Sequence, residues 1–265
     1  MHLHYDLRGS GTPIVFIHGA AIDHDAMEQW FEPLFAGQMH TRLYIDLPGM
    51  GATPPLPPAQ TDSDHVLAAI AETVTAVLGD QSFDVVGYSY GGYLALALAY
   101  QEPTRVQRLF LVCPTLTGIR GERHVAEHRI IQSAPIAVAA ANADYFANYH
   151  KVTVVQNPQT WQAFQTQVIP GIRRTNLDAL HQLHRDHGTH YRLSFEDQLK
   201  ATNFAQPITL LSGRHDVTIG YTDHEAFMAH QVNGTFGLFA NAGHNLPIDQ
   251  YPMMAAYFTQ FLRES

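Results

Sequence analysis

The chain has 265 residues, an apolar fraction of 46% and a net charge of −9. That length is enough for one sizeable core, with room for an inserted subdomain. The acidic balance, with Lys151 and Lys200 the only lysines, argues against nucleic acid or an anionic membrane as the main partner.

Residues 1–8 carry no apolar stretch of the kind a signal peptide needs. Residues 2–7 alternate and are expected to form an edge strand. Residues 13–17, P-I-V-F-I, are a continuous apolar run, as in a parallel strand buried on both faces. The run ends in H-G-A-A at 18–21. Asp23 or Asp25 can cap a helix reaching about residue 35, with Met27, Trp30, Phe31 and Leu34 at helical spacing. Residues 41–45 are the next strand, followed by D-L-P-G-M-G at 46–51 and a proline-rich loop at 54–58. Thr61 or Asp62 then caps a helix with Val66, Leu67, Ile70, Val74, Val77 and Leu78 on one face.

Residues 83–92, F-D-V-V-G-Y-S-Y-G-G, read as a buried strand, a tight turn and a helix start. The segment from Gly87 to Gly91 fits G-x-S-x-G, in which a serine sits on a strained strand-to-helix turn. Glycines are needed there because side chains would collide with the adjoining strand and helix. A helix then runs to about residue 103, and residues 106–112 form another buried strand closing at Cys113 and Pro114. Cys113 is the single cysteine, so no intrachain disulfide forms and a reducing, cytoplasmic setting fits.

From 117 to 201 the strand–helix rhythm stops, leaving helical stretches at 136–149, 160–168 and 176–187. It resumes with a strand at 207–211 ending in S-G-R-H-D, a helix at 221–230, a strand at 235–239 ending in N-A-G-H, and a helix at 251–263. The expected fold is α/β: a mostly parallel sheet with helices on both faces. Its core would comprise 1–116 and 202–265, with 117–201 an inserted helical cap. No internal repeat stands out, and no apolar run approaches the ~20 residues that span a bilayer.

Ligands of such a sheet bind at the C-terminal strand ends. The residues there include His18, Asp46, Ser89, Cys113, Asp216 and His244. A serine hydroxyl needs a base within hydrogen-bond reach, and that base needs a carboxylate to fix its tautomer. Ser89, His244 and Asp216 can supply the three, in the chain order Ser, Asp, His given for α/β-hydrolases. His215 competes as base, and Asp223 and Asp46 as acid. Asp46 is expected to accept N–H bonds in its own turn. His18 is expected to brace the loop after its strand, and Cys113 to be a small buried hydrophobe.

Five motifs in order, F-I-H-G-A-A, D-L-P-G-M-G, G-Y-S-Y-G-G, L-S-G-R-H-D and A-G-H-N, cover about two-thirds of the chain. By these the chain resembles the α/β-hydrolase fold superfamily. It is similar to the capped branch of esterases, lipase-like enzymes and prolyl-iminopeptidase-like peptidases. The stretch 117–201 matches nothing in that pattern. Members of that family usually have a further strand before the stretch at 2–7, so the sheet is expected to lack that first, peripheral strand. The resemblance implies that Ser89 attacks a carbonyl carbon, with the backbone N–H groups of Ala20 and Tyr90 as the oxyanion hole. It also implies a small-molecule substrate and no metal or organic cofactor.

A small-to-medium carboxylic ester is the expected substrate. The same triad also serves amidases, aminopeptidases, C–C hydrolases, lyases and perhydrolases, and some proteins of this fold are ligand receptors. An aminopeptidase would need an acid for the substrate ammonium, with Glu122, Glu127, Asp144, Glu196 and Asp197 as candidates. Prolyl-iminopeptidase-like relatives usually carry Trp where Tyr90 stands, which lowers that alternative. His181, His184, His187 and His190 recur every three residues, but Gly188 is expected to end their helix and no cysteine joins them. They read as a solvated face rather than a metal site. Tyr145, Phe146, Tyr149, Trp161 and Phe164 can line an acyl pocket or form the core of the cap.

Overall fold

The computed structural model describes residues 1–263. The main sheet is built from β1 (Tyr5–Gly9), β2 (Thr12–Ile17), β3 (His40–Ile45), β4 (Phe83–Tyr88) and β5 (Val106–Val112). Two short bridging strands follow, β6 (Gln132–Ser133) and β7 (Val155–Gln156), and then β8 (Ile208–Gly213) and β9 (Gly234–Phe239) complete the sheet. Its order is β1-β3-β2-β4-β5-β8-β9, with only the β1–β3 pairing antiparallel. The expected edge strand therefore exists but starts at Tyr5, because the Leu3 and His4 N–H groups bond to Thr73 and Thr53 instead. The order reverses at β2, which has β3 on one side and β4 on the other. Such a reversal opens a crevice at the C-terminal strand ends. Ala20 follows β2 and Ser89 follows β4, so both stand at that crevice.

The first helices are α1 (His24–Phe31), α2 (Ser63–Leu78) and α3 (Tyr90–Gln101). Helix α1 stops short of the expected residue 35, giving way to a 3-10 turn at Glu32–Phe35 where Pro33 has no N–H to give. The alternating side chains of β2 divide the core: Val15 and Ile17 join the α2 and α3 side, Ile14 and Phe16 the α1 side. Helix α3 is buried from Tyr90 to Ala99, which explains its unbroken run of Leu, Ala and Tyr.

Between β5 and β8 lie α4 (Ala143–Val152), α5 (Pro158–Gln167), α6 (Ile169–Arg174), α7 (Leu177–Leu183), the kinked α8 (Arg185–Gly188) and α9 (Glu196–Ala201). The helix expected over 136–149 begins only at Ala143. The chain before it runs extended, with Ile131 and Ala134 donating to the Val154 and Gln156 carbonyls. The helix expected over 176–187 ends at Leu183, because Asp186 and His187 take left-handed backbone, φ 51° and 59°. The chain closes with α10 (Tyr221–Met228), α11 (Leu246–Asp249) and α12 (Tyr251–Arg263), whose Phe258 packs its ring against Phe16, Phe31, Phe35 and Phe110. Among the described residues no helix is long and apolar enough to cross a membrane.

The start of α3 packs backbone against backbone on the end of β2. A Cβ on Gly91 would stand 2.0 Å from the Ile17 carbonyl oxygen, whereas one on Gly121 would meet nothing within 4 Å. Gly91→Ala is therefore expected to cost about 1–3 kcal/mol or more, as overpacking against backbone does. Gly121→Ala should stay within about 0.5 kcal/mol. Urea denaturation of the two variants measures the difference.

Candidate active site

Ser89 occupies the single residue between β4 and α3. Its backbone sits at φ 53° and ψ −116°, outside the regions an L-residue favours. The conformation is held by its own peptide groups: the Ser89 N–H donates to the Val112 carbonyl at 3.0 Å, and its carbonyl accepts from Gly92, Tyr93 and Thr115. Gly87 and Gly91 face each other across the turn, where a Cβ on Gly87 would lie 2.5 Å from the Gly91 carbonyl oxygen. The side chain thus projects from the sheet end, with 8% of the residue exposed.

His244 lies in the loop after β9, and its Nε2 is 3.0 Å from Ser89 Oγ. Its Nδ1 is 2.8 Å from Asp216 Oδ2. A carboxylate only accepts, so Nδ1 carries the proton and Nε2 is left to accept from the serine. Asp216, in the loop after β8, is fully buried, and its Oδ1 accepts from the Thr218 and Ile219 N–H groups at 2.8 and 2.9 Å. Burial alone would raise its carboxyl. The charge and hydrogen bond of His244, with the two backbone donors, outweigh it and hold the carboxyl below its ordinary range. His215 has no place in this chain of hydrogen bonds; its N–H is tied to the Ala242 carbonyl.

The Ala20 and Tyr90 N–H groups donate to no protein acceptor among the described residues, and Ala20 lines the cavity that Ser89 faces. His18 stands behind this loop. Its Nδ1 bonds the Gly19 carbonyl at 2.7 Å, and its Nε2 accepts from the Leu47 N–H at 2.9 Å. Both ring nitrogens are engaged, and burial lowers its basicity, so the ring is a neutral brace. Asp46 accepts from the His24 and Ala52 N–H groups and contacts the His4 and His24 rings. Asp223 holds His124. Neither acid reaches His244. Cys113 is fully buried behind the site, and burial pushes its thiol far up, which leaves it inert.

The cavity measures about 560 Å³ and is shared between the sheet ends and the 117–201 segment. Of Tyr145, Phe146, Tyr149, Trp161 and Phe164, it is Phe164 that lines the cavity, where Tyr191 joins it. Trp161 instead packs against Phe146 and Tyr149, both ring pairs at 5.1 Å, so most of the set is core. The four histidines spaced by three do not converge on one point among the described residues. The left-handed kink sends His187 to the cavity, lets His184 stack on Tyr191, and leaves His190 beside Asp186.

A family model described as the alpha/beta hydrolase fold matches residues 12–251. The chain belongs to the α/β hydrolase fold family. A solved α/β superfamily hydrolase from Oenococcus oeni superposes with a TM-score of 0.92 at 35% identity, covering 98% of this chain and 95% of the other. The pimeloyl-(acyl-carrier protein) methyl ester esterase of Nitrosospira multiformis is 27% identical over 94% of each chain. The 2-hydroxymuconate semialdehyde hydrolase of Pseudomonas putida is 26% identical over 97% of this chain and 89% of its own.

One residue of this hydrolase escapes sequence inspection. Asp249, at the end of α11, is buried and accepts three backbone N–H bonds, from Gly243 at 2.9 Å, Val154 at 3.0 Å and Val155 at 2.9 Å. It ties the loop carrying His244 to β7. The only hint in the chain is an acid five residues after His244. Burial pushes its carboxyl up to about 7, against the pull of the three donors. An unfolded aspartate titrates at about 3.9. The folded state therefore binds this proton more tightly, and its contribution, full below about pH 4, is lost as pH rises through about 7. The unfolding free energy of the wild type is expected to fall between about pH 5 and pH 8 relative to Asp249→Asn, which has no carboxyl to titrate. Urea denaturation across that range measures it; parallel curves for the two proteins would contradict the assignment.

Proposed function

We propose that this hydrolase cleaves small-to-medium carboxylic esters through an acyl-enzyme on Ser89. Ser89 Oγ attacks the ester carbonyl carbon while His244 Nε2 takes its proton. The carbonyl oxygen, now negative, receives the Ala20 and Tyr90 N–H bonds at the positive end of α3. The intermediate collapses, the C–O bond to the alcohol breaks, and His244 returns the proton to the departing oxygen. Water then attacks the acyl-enzyme with His244 again as base, releasing the acid and restoring Ser89. Asp216 keeps the imidazole in the productive tautomer and stabilises its charged form. None of these steps calls on a metal or an organic cofactor. Residues 117–201 act as a cap over a core of 1–116 and 202–265 and select the small molecule that enters.

The observation that carries this reading is the hydrogen-bond chain from Ser89 through His244 to Asp216, at 3.0 and 2.8 Å, opening into a cavity. The esterase relative supports the same bond class. An aminopeptidase is disfavoured, since none of Glu122, Glu127, Asp144, Glu196 and Asp197 lines the cavity to meet an ammonium group. C–C bond hydrolysis is a second reading, favoured by the semialdehyde hydrolase relative.

A panel of methyl and p-nitrophenyl esters and of 2-hydroxy-6-oxo dienoates separates the two. Turnover is expected on the esters, with Ser89 labelled by a fluorophosphonate. Ser89→Ala should lose labelling and at least about 10³ in kcat, and Asp216→Asn about 10³–10⁴. A protein that hydrolyses no ester and leaves Ser89 unlabelled would defeat the proposal.

A further inference from the structure

The cavity over Ser89 does not share the charge of the molecule around it. The chain carries 24 acidic residues against 15 Lys and Arg. Yet Arg120, Arg123 and Lys151 line this cavity, joined by His184 and His187, and no Asp or Glu does. These five come from the 117–201 segment; the remaining basic side chain of the lining is His244 beside Ser89. Other walls are apolar, with Ile22, Trp30, Phe164 and Val168.

The cations are also left without counter-charges. Arg123 is half-buried, and its guanidinium donates to three backbone carbonyls: Thr117 at 2.7 Å, Gly118 at 3.0 Å and Thr218 at 3.2 Å. Those bonds fix the plane of the group without neutralising it, and some of its five N–H donors stay unspent. The side chains of Arg120 and Lys151 make no hydrogen bond or ion pair among the described residues. Elsewhere Arg8, Arg42, Arg105, Arg108, Arg174 and Arg192 each meet a carboxylate, while Arg173 and Arg214 lie over tyrosine rings; what sets this cavity apart is that three cations converge on it without an acid in its lining. The nearby acids are turned away. Glu122 lines a separate cavity with His124 and Asp223, and Glu196 is buried against the Gly118 N–H and the Tyr93 hydroxyl. Positive charge accumulates enough that, beyond burial, Arg123 and Arg120 depress the basicity of His184.

We propose that this cavity selects an ester bearing an oxyanion, a carboxylate or a phosphate, at a distance from the scissile carbonyl, with Arg120, Arg123 and Lys151 as its receptor. The proposal rests on the ester-hydrolase reading and names its substrate class. The apolar wall takes the connecting chain, and the guanidinium groups offer paired donors matched to two oxygens of the anion. The anion supplies the counter-charge that the cavity lacks.

Two matched pairs of esters test it and separate the two anions. One pair is methyl hydrogen adipate and its neutral amide, methyl 6-amino-6-oxohexanoate. The other is 2-acetoxyethyl phosphate and neutral 2-methoxyethyl acetate. In at least one pair the anionic member is expected to have a kcat/KM at least about tenfold higher. The pair with the larger ratio identifies the anion. In Arg120→Gln/Lys151→Gln that ratio should fall about tenfold, while Lys200→Gln, a cation outside this cavity, should keep it. Equal kcat/KM within both pairs, or a ratio the double variant leaves intact, overturns the proposal. Calorimetric titration of Ser89→Ala with adipate, adipamide and inorganic phosphate reads the receptor without turnover. Binding of an anion but not of adipamide, weakened in the double variant, is expected; absence of binding by both anions counts against the receptor. Failure of the hydrolase reading would show separately, as no turnover of any ester with anion binding intact.

Discussion

The approach of the β4–α3 turn to the end of β2 is the constraint on which the rest of the site depends. With no Cβ at Gly87 or Gly91, backbone meets backbone, and Ser89 is forced to φ 53° at the C-terminal end of β4. A strained residue of this kind costs of order 1–3 kcal/mol and persists only where its surroundings over-determine it. Here they do: α3 is buried along most of its length, and the Ser89 peptide is bonded to β5, to α3 and to Thr115. The same approach brings the Ala20 loop of β2 beside the start of α3. One steric fact thereby sets the positions of the proposed nucleophile and of both proposed oxyanion donors.

The second constraint is the burial of carboxylates near that turn. Asp46, Asp216 and Asp249 are all buried, and each accepts at least two backbone N–H bonds. Their ionisation nevertheless diverges. Burial acts to raise all three, yet Asp46 and Asp216 are lowered, whereas Asp249 is raised. N–H donors alone do not decide the sign, since Asp249 has three. What Asp46 and Asp216 share is a bonded imidazole that can carry positive charge. His244 is thus held by an acid that stays ionised, and its loop is anchored by one that gives up its charge more readily.

Most of the candidate site was legible in the sequence, because its parts are local. A strand buried on both faces is a continuous apolar run, and its last residues are read directly from where that run stops. Ser89 and Asp216 follow such runs, whereas His244 follows the half-exposed edge strand β9, and the structure brings the three side chains together. The parts that were not legible depend on backbone groups far away. The donors to Asp249 include Val154 and Val155, 95 and 94 residues distant, and their side chains say nothing about an N–H. The helix at 177–183 ends because Asp186 and His187 take left-handed backbone, without a glycine at either position to signal it. The cationic lining escaped because Arg120, Arg123 and Lys151 are scattered among acids in the chain and separated from them only by folding.

That separation also bears on how a charged substrate would arrive. An exterior with a net charge of −9 repels an anion at long range, so electrostatic steering works against encounter rather than for it. At physiological ionic strength this repulsion fades beyond about 8 Å, whereas contacts inside a partly enclosed cavity are screened far less. Discrimination in favour of an anion must therefore come from short-range contacts with fixed donors. Arg123 suits that role, since its guanidinium is oriented by three carbonyls before any ligand binds and little side-chain entropy remains to be lost. In the proposed reading, the C-terminal end of β4 positions the reaction, and the 117–201 segment supplies the charge that chooses what reaches it.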